Sequence, residues 1–408
     1  MGSKRRWNCH TRRGLRLDHD SSHASNTTAQ MQKIVVLNGS FDMIDRQSSG
    51  KNTQRSDRIF VTKQWQQSDP PHTFLSHGSP THPSTMKTST FLVATLLVVG
   101  LACASATSFD DFCQKYGKTY HSVAEREHRR SVFQENMKRI TRWNREAELL
   151  GKQQVYNVTK FMDFTPEEFS SIYLNFKEPA VKEGKVANFD HVESVPSSVD
   201  WRSRNVITAV KNQAQCGSCW AFSATETVES YWALAGHGLV DLSPQQVTAC
   251  TTGCYGCQGG YTTVAFDYLE KAGLESARAY PYTAGNGNTG TCKYNSEDVV
   301  ARITGWEYAA QNGDEKALQA AVATKGPISI CVDASSWQFY TGGIMSSNCG
   351  QQLDHCVQLV GYNTEGQTPY WIVRNSWTAE WGINGYIYVE AFDDDLCGIA
   401  NCATYVTV

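Results

Sequence analysis

Gln213-Ala-Gln-Cys-Gly-Ser-Cys219-Trp-Ala-Phe-Ser223 is the stretch on which the fold turns, because it sets the Cys219 thiol at the start of an apolar helix. The positive end of a helix dipole, with a nearby imidazolium, lowers a thiol pKa far enough to populate the thiolate, which attacks carbonyl carbon well. Such a nucleophile needs a base, and from Val195 onward the chain has only two histidines, His237 and His355. His237 lies in the glycine-flanked turn Ala235-Gly-His-Gly-Leu239 and reads as a solvated surface residue. His355 follows Leu353-Asp354, opens the apolar run Val357-Gln-Leu-Val-Gly-Tyr362, and lies 136 positions after Cys219. That separation suits a thiol and an imidazole brought to one cleft from opposite walls.

A third group stands in Tyr370-Trp-Ile-Val-Arg-Asn-Ser-Trp377, where the amide oxygen of Asn375 can accept the ring N–H of His355 and fix its tautomer. Cys-Gly-Ser-Cys-Trp, with a distant His and Asn, resembles the papain family of cysteine peptidases. The Trp371, Trp377 and Trp381 box around Asn375 strengthens the likeness, and Trp377 would shield the Asn–His hydrogen bond from water. The resemblance implies that Gln213, with the backbone N–H of Cys219, stabilises an oxyanion. It also implies main-chain pairing with substrate at Gln258-Gly259-Gly260-Tyr261, where the family's usual Asn is Gln. No insertion with paired histidines interrupts the chain, which favours an endopeptidase over an exopeptidase.

Eleven cysteines follow residue 193. The resemblance implies the disulfides Cys216–Cys257, Cys250–Cys292 and Cys349–Cys397, with Cys219 kept free for chemistry. A zinc site at Cys250, Cys254 and Cys257 is the competing reading, disfavoured because no His lies near. Cys331, Cys356 and Cys402 align with positions that line the family's second specificity pocket, together with Leu353 and Asp354 beside His355. One reading makes them three small hydrophobes; the other closes Cys331–Cys356 as a disulfide across the pocket wall. In both, the pocket floor carries no acid and should prefer Leu, Val or Phe over Arg.

The rest of the chain divides around this domain. Met86-Lys87 and the apolar run Phe91–Ala106, ending Ala104-Ser-Ala106, has the form of a secretory signal, so Met86 is expected to be the true start. Residues 1–85, with twelve Lys/Arg and no Glu, then read as a disordered extension arising from the gene model. The alternative is a signal-anchor, but the apolar run is shorter than the roughly 20 residues that a span needs, so no stable membrane span is expected.

Residues 107–193 read as a pro-region, since Glu125, Arg129, Phe133, Asn136, Ile140 and Asn144 recur at helical steps and match the pro-helix of the cathepsin L-like branch. A second motif survives as Asn157-x-Thr159-x-Phe161-x-Asp163, two of its four positions differing from the family; Asn157-Val-Thr159 is also a glycosylation sequon. The mature part, 194–408, is expected to begin near Val195-Pro-Ser-Ser-Val-Asp-Trp201. From Val195 onward it holds ten Lys/Arg against twenty Asp/Glu, a split hidden by the whole-chain charge of −3, and its acidity disfavours nucleic acid as a partner.

The expectation is therefore an α+β, papain-like two-lobe fold, with a helical lobe and an antiparallel β-barrel-like lobe, preceded by a mainly helical pro-domain. The expected product is a secreted or lysosomal cysteine endopeptidase made as a zymogen, monomeric and without cofactor or metal. Its partners would be protein and peptide substrates, its own pro-region as inhibitor, and cystatin-like inhibitors. A non-catalytic papain-like binding or storage protein is the alternative, which loss of Cys219, His355, Asn375 or Gln213 would have signalled.

Overall fold

The computed structural model describes residues 107–176, 182 and 184–408; the expected extension and signal segment lie outside them. The pro-region opens with helix α1 (Phe109–Tyr116), started by a reciprocal capping box between Ser108 and Asp111 and stopped by Gly117 in the left-handed region. Helix α2 (Val123–Leu149) follows, and α3 (Pro166–Tyr173) starts on a second capping box, Thr165 with Glu168. The spaced residues of α2 have separate structural tasks. Phe133 and Ile140 are buried. The Asn136 amide donates to the carbonyls of Met162 (3.0 Å) and Phe164 (2.9 Å), and Asn144 donates to Tyr156 (2.7 Å). Arg129 pairs with Glu168 at 2.6 Å and donates to the carbonyl of Asp163.

The second motif also holds its place despite the two altered positions. Thr159 donates to the Gln338 carbonyl at 2.6 Å, Phe161 packs edge-on to Trp377, and Asp163 accepts from Lys118 and Tyr120. Its exposed first residue, Asn157, donates its backbone N–H to the Phe339 carbonyl.

From Val195 onward, β1 (Ser198–Asp200) precedes helices α4 (Cys219–Trp232), α5 (Pro244–Cys250) and α6 (Thr262–Ala272). A two-stranded ribbon, β2 (Leu274–Glu275) with β3 (Val299–Ala301), leads to β4 (Gly305–Gln311), α7 (Glu315–Thr324), β5 (Ile328–Val332), β6 (Ile344–Met345) and β7 (His355–Asn363). β8 (Tyr370–Arg374), β9 (Tyr386–Glu390) and β10 (Cys402–Thr407) complete it. The main sheet runs β4-β10-β5-β7-β8-β9-β6, with β1 added to β7. Helix α4 starts at Cys219, as read from sequence, and the apolar run Val357–Tyr362 opened by His355 lies within β7.

The barrel-like expectation needs correction: among the described residues the sheet is open, and β6 pairs with β9 in parallel. Its two edges are covered by the pro-region instead of closing on each other. The backbone at Lys185–Ala187 bonds to Tyr308 of β4, while Gln153 and Val155 bond to Ile344 and Thr341 beside β6. A covered edge cannot pair with another chain.

Helix α4 is the centre of the molecule, with every residue except Trp232 buried. Its polar side chains are spent on the sheet. Ser223 Oγ donates to the Val357 carbonyl at 2.7 Å, and Gln358 donates to Glu226 O and Ser230 Oγ, each at 2.9 Å. Buried charge on this helix is paired, Glu226 with Arg374 at 3.5 Å and Glu229 with Lys211 at 2.9 Å, as an apolar interior requires.

Asn136→Leu leaves the Met162 and Phe164 carbonyls without their shared donor and should destabilise the pro-domain by about 1–3 kcal/mol. Urea unfolding of the full chain, held unprocessed by Cys219→Ser, measures this. An unchanged midpoint would contradict the assigned role of Asn136.

Candidate active site

Cys219 begins α4, at the helix end where unpaired N–H groups gather positive potential. The disulfide Cys216–Cys257 ties down the loop just before it. Gly217 permits close approach there: a Cβ at this position would lie 2.5 Å from the Cys257 carbonyl and as close to the Asn175 side chain.

His355 is the first residue of β7, directly opposite Val332 of β5. Its Nε2 stands 2.9 Å from Asn375 Oδ1. Because that oxygen also accepts the Ser376 backbone N–H at 2.8 Å, it is an acceptor, so Nε2 carries the proton and Nδ1 is left with a lone pair. Nδ1 is buried and has no hydrogen-bond partner, which makes it the ring atom available for exchange with a thiol. Trp377 stacks on the imidazole with ring centroids 4.8 Å apart, and Trp337 and Trp381 extend the aromatic wall. His237 instead stacks on Trp232, at the far end of α4.

Gln213 Oε1 accepts from Ser376 Oγ at 2.6 Å, which orients the amide so that Nε2 donates to the carbonyls of Cys216 (3.0 Å) and Tyr173 (3.1 Å). Tyr173 precedes the expected mature start near Val195. The end of α3 and the residues after it cross the whole site. The Asn175 backbone lies on the Cys219 thiol and its carbonyl packs on Gly259, where a Cβ would come within 2.1 Å. Phe176 forms a parallel bridge with Gly260 and donates its N–H to the Asp354 carbonyl at 2.9 Å. Its ring enters a buried cluster with Cys219, Tyr308, Cys331, Leu353, Cys356 and Cys402, flanked by Tyr261.

Burial under this cover decides the ionisation of the site. It pushes the Cys219 thiol up to about 11, against backbone hydrogen bonds that act the other way. It pushes His355 down to about 4, although the bond to Asn375 favours the charged ring. With the pro-segment in place, both groups are therefore neutral across the ordinary pH range. Asp354 is raised to about 7, chiefly by the same burial.

All three disulfides expected from the resemblance are present, and Cys331–Cys356 is a fourth. The zinc alternative fails on donors, since Cys250 and Cys257 are both in disulfides and only Cys254 keeps a thiol. Three contributors were missed from sequence: Ser376, which orients Gln213; Trp337, against His355; and Tyr173–Phe176, which occupies the cleft. The last left a faint trace, a run of Tyr-Leu-Asn-Phe after the Thr165–Glu168 capping signal.

Residues 195–407 match the papain family cysteine protease domain, and residues 109–169 match the cathepsin propeptide inhibitor domain. The chain is 40% identical over 324 residues to digestive cysteine proteinase 3 of Homarus americanus, covering 78% of this chain and 99% of that protein. It is 39% identical to procathepsin L of Mus musculus over 77% of this chain and 98% of the relative. Among solved structures, digestive procathepsin L 3 of Tenebrio molitor larval midgut superposes with a TM-score of 0.65 at 34% identity, covering 73% of this chain and 97% of that one. With both matched regions in one polypeptide and a pro-segment seated over the cysteine, the chain belongs to the papain family, as a cathepsin L-like cysteine proteinase zymogen that carries its own propeptide inhibitor domain.

Proposed function

We propose that the mature enzyme is an endopeptidase in which Cys219 is the nucleophile, His355 its base and acid, Asn375 the group that orients His355, and Gln213 the oxyanion donor. The observation that supports this most is the bond from His355 Nε2 to Asn375 under the stacked Trp377, which leaves Nδ1 free to exchange a proton with a thiol. Once the pro-segment leaves, solvent enters, the cost of charging both groups falls, and the thiolate–imidazolium pair forms. The thiolate attacks the substrate carbonyl, and the developing oxyanion takes the place that the Tyr173 carbonyl now holds on Gln213 Nε2. His355 then protonates the leaving amine and activates water for deacylation.

Gly259 and Gly260 pair with the substrate main chain, beside Tyr261. Cys331, Leu353, Cys356 and Cys402 form the second specificity pocket, near Asp354, and the Phe176 ring within this cluster supports a preference for Leu, Val or Phe there. Cleavage near Val195 releases the mature domain. The relatives named as digestive proteinases and procathepsin L support passage through the secretory pathway to a lysosome or the exterior, consistent with synthesis from Met86 behind a signal over 86–106. Among the described residues no helix is long and apolar enough to cross a membrane.

An epoxysuccinyl active-site probe should leave the intact zymogen unlabelled at neutral pH and label Cys219 after acid processing, with the new N-terminus near Val195. Peptide masses read both, and a processed, folded protein without the label would refute the catalytic assignment. In the processed enzyme Gln213→Ala should lower kcat by about 10²- to 10³-fold with little change in KM; an equal rise in KM would make Gln213 a substrate-binding group instead. Peptide substrates with Leu or Phe in the second subsite should exceed those with Arg in kcat/KM by at least about tenfold, and a preference for Arg would refute the pocket assignment.

A further inference from the structure

Three cysteines stand in a row across three adjacent strands. Cys331 of β5 is directly opposite Cys356 of β7. β10 pairs with β5 on the other side through Ala403↔Ile330 and Thr404↔Ser329, so the next step of that ladder sets Cys402 opposite Cys331. Residues opposite one another point to one face, with Cβ atoms about 4.5–5.5 Å apart. This face is the one turned to α4, since Ser329 and Gln358, two residues from Cys331 and Cys356, bond to Ser223 and Glu226. All three sulfurs belong to the buried cluster that receives Phe176. Cys331 and Cys356 are bridged, and Cys402 keeps its thiol.

Exchange of a thiol with a disulfide requires the attacking sulfur to approach the electrophilic sulfur from the side away from the bond that breaks. A row of cysteines at one register supplies that alignment: Cys402 on one side of Cys331, Cys356 on the other. We propose that this row is a thiol–disulfide exchange centre in the wall of the second specificity pocket. The Cys402 thiolate attacks Cys331 Sγ, the Cys331–Cys402 bond forms, and the Cys331–Cys356 bond breaks with its electron pair leaving on Cys356 Sγ. The proton lost by Cys402 is balanced by the one taken up at Cys356. The number of disulfides is unchanged, so no oxidant or reductant is consumed.

The exchange moves a covalent tie from β5–β7 to β10–β5. β7 begins with His355, and Cys356 is the next residue. One form anchors the histidine strand to the middle of the sheet; the other frees it and leaves a thiol next to His355 in the pocket wall. The effect on activity rests on the catalytic reading of His355, while the exchange itself does not. In the zymogen the three cysteines are at most 2% exposed beneath Phe176. Water and base cannot reach Cys402 there, and a buried thiol resists ionisation. Removal of the pro-segment therefore both opens the pocket and permits exchange.

The test compares the full chain held unprocessed by Cys219→Ser with the acid-processed enzyme whose Cys219 is blocked by the epoxysuccinyl probe, so that neither sample digests itself or has Cys219 attack a disulfide. Each sample is held at about pH 4.5 or about pH 8, thiols are trapped with N-ethylmaleimide, and unreduced peptides are mapped by mass. The zymogen should give only Cys331–Cys356. The processed enzyme at the higher pH should give a peptide joining Cys331 to Cys402, with Cys356 trapped, forming about tenfold faster per pH unit. In Cys402→Ser the original bridge should persist under every condition. Cys331–Cys356 alone, with Cys402 trapped at both pH values, would overturn the proposal and leave Cys402 a packing residue. Failure of the probe to label Cys219 would count against the catalytic reading only, and the map would then be read on Cys219→Ser.

Discussion

The burial of α4 on nearly all sides is the constraint on which the rest depends. A helix enclosed by the sheet, α5 and α6 can expose its chemistry only at an end, and Cys219 is the first residue of that end. Ser223, Glu226 and Ser230 bind this helix to β7 and β5, and β7 delivers His355. Arg374, paired with Glu226, is the residue before Asn375. The same contacts that bury the helix thus fix the relative positions of all three groups. Gln213 and Asn375 themselves lie just outside helix and strand, where the Ser376–Gln213 bond joins their loops.

The pro-segment covers this site with backbone groups and one ring. Its Tyr173 carbonyl takes the Gln213 amide, Asn175 covers the thiol, and Phe176 fills the pocket. Exclusion of water then keeps thiol and imidazole neutral. Falling pH acts on two neighbours in opposite senses. His355 is depressed to about 4, so the stability it lends the closed state is whole above its ordinary value of 6.5 and is lost as pH falls through about 4. Asp354 is raised to about 7, so its contribution is whole below the usual carboxylate range and is lost as pH rises through about 7. Acid therefore penalises the covered imidazole while relieving the covered carboxyl, and only the imidazole gives acid a reason to open the site.

The candidate site residues and the α2 face were read from short local patterns: Cys219 in Cys-Gly-Ser-Cys-Trp, Asn375 inside its tryptophan box, and the α2 motif at strict helical spacing. His355 was found by elimination among two histidines. The sheet's order was not legible. β10, the last strand, inserts between β4 and β5, a pairing of high sequence separation that no local pattern records. Helix α7, rich in alanine, lies within the β-rich lobe, and the segment before Val195 bonds to both edges of the open sheet. Apart from the Phe176 ring, the occluding Tyr173–Phe176 acts through main-chain groups that every residue has, so side-chain identity pointed to it only weakly.

The central claim is that the segment over the cleft holds Cys219 and His355 neutral, and titration of His355 by NMR tests it most directly. With histidines isotopically labelled, the ring should titrate near 4 in the zymogen held intact by Cys219→Ser and well above its ordinary value of 6.5 in the processed enzyme, where a thiolate can face it. The same midpoint in both forms would contradict the account.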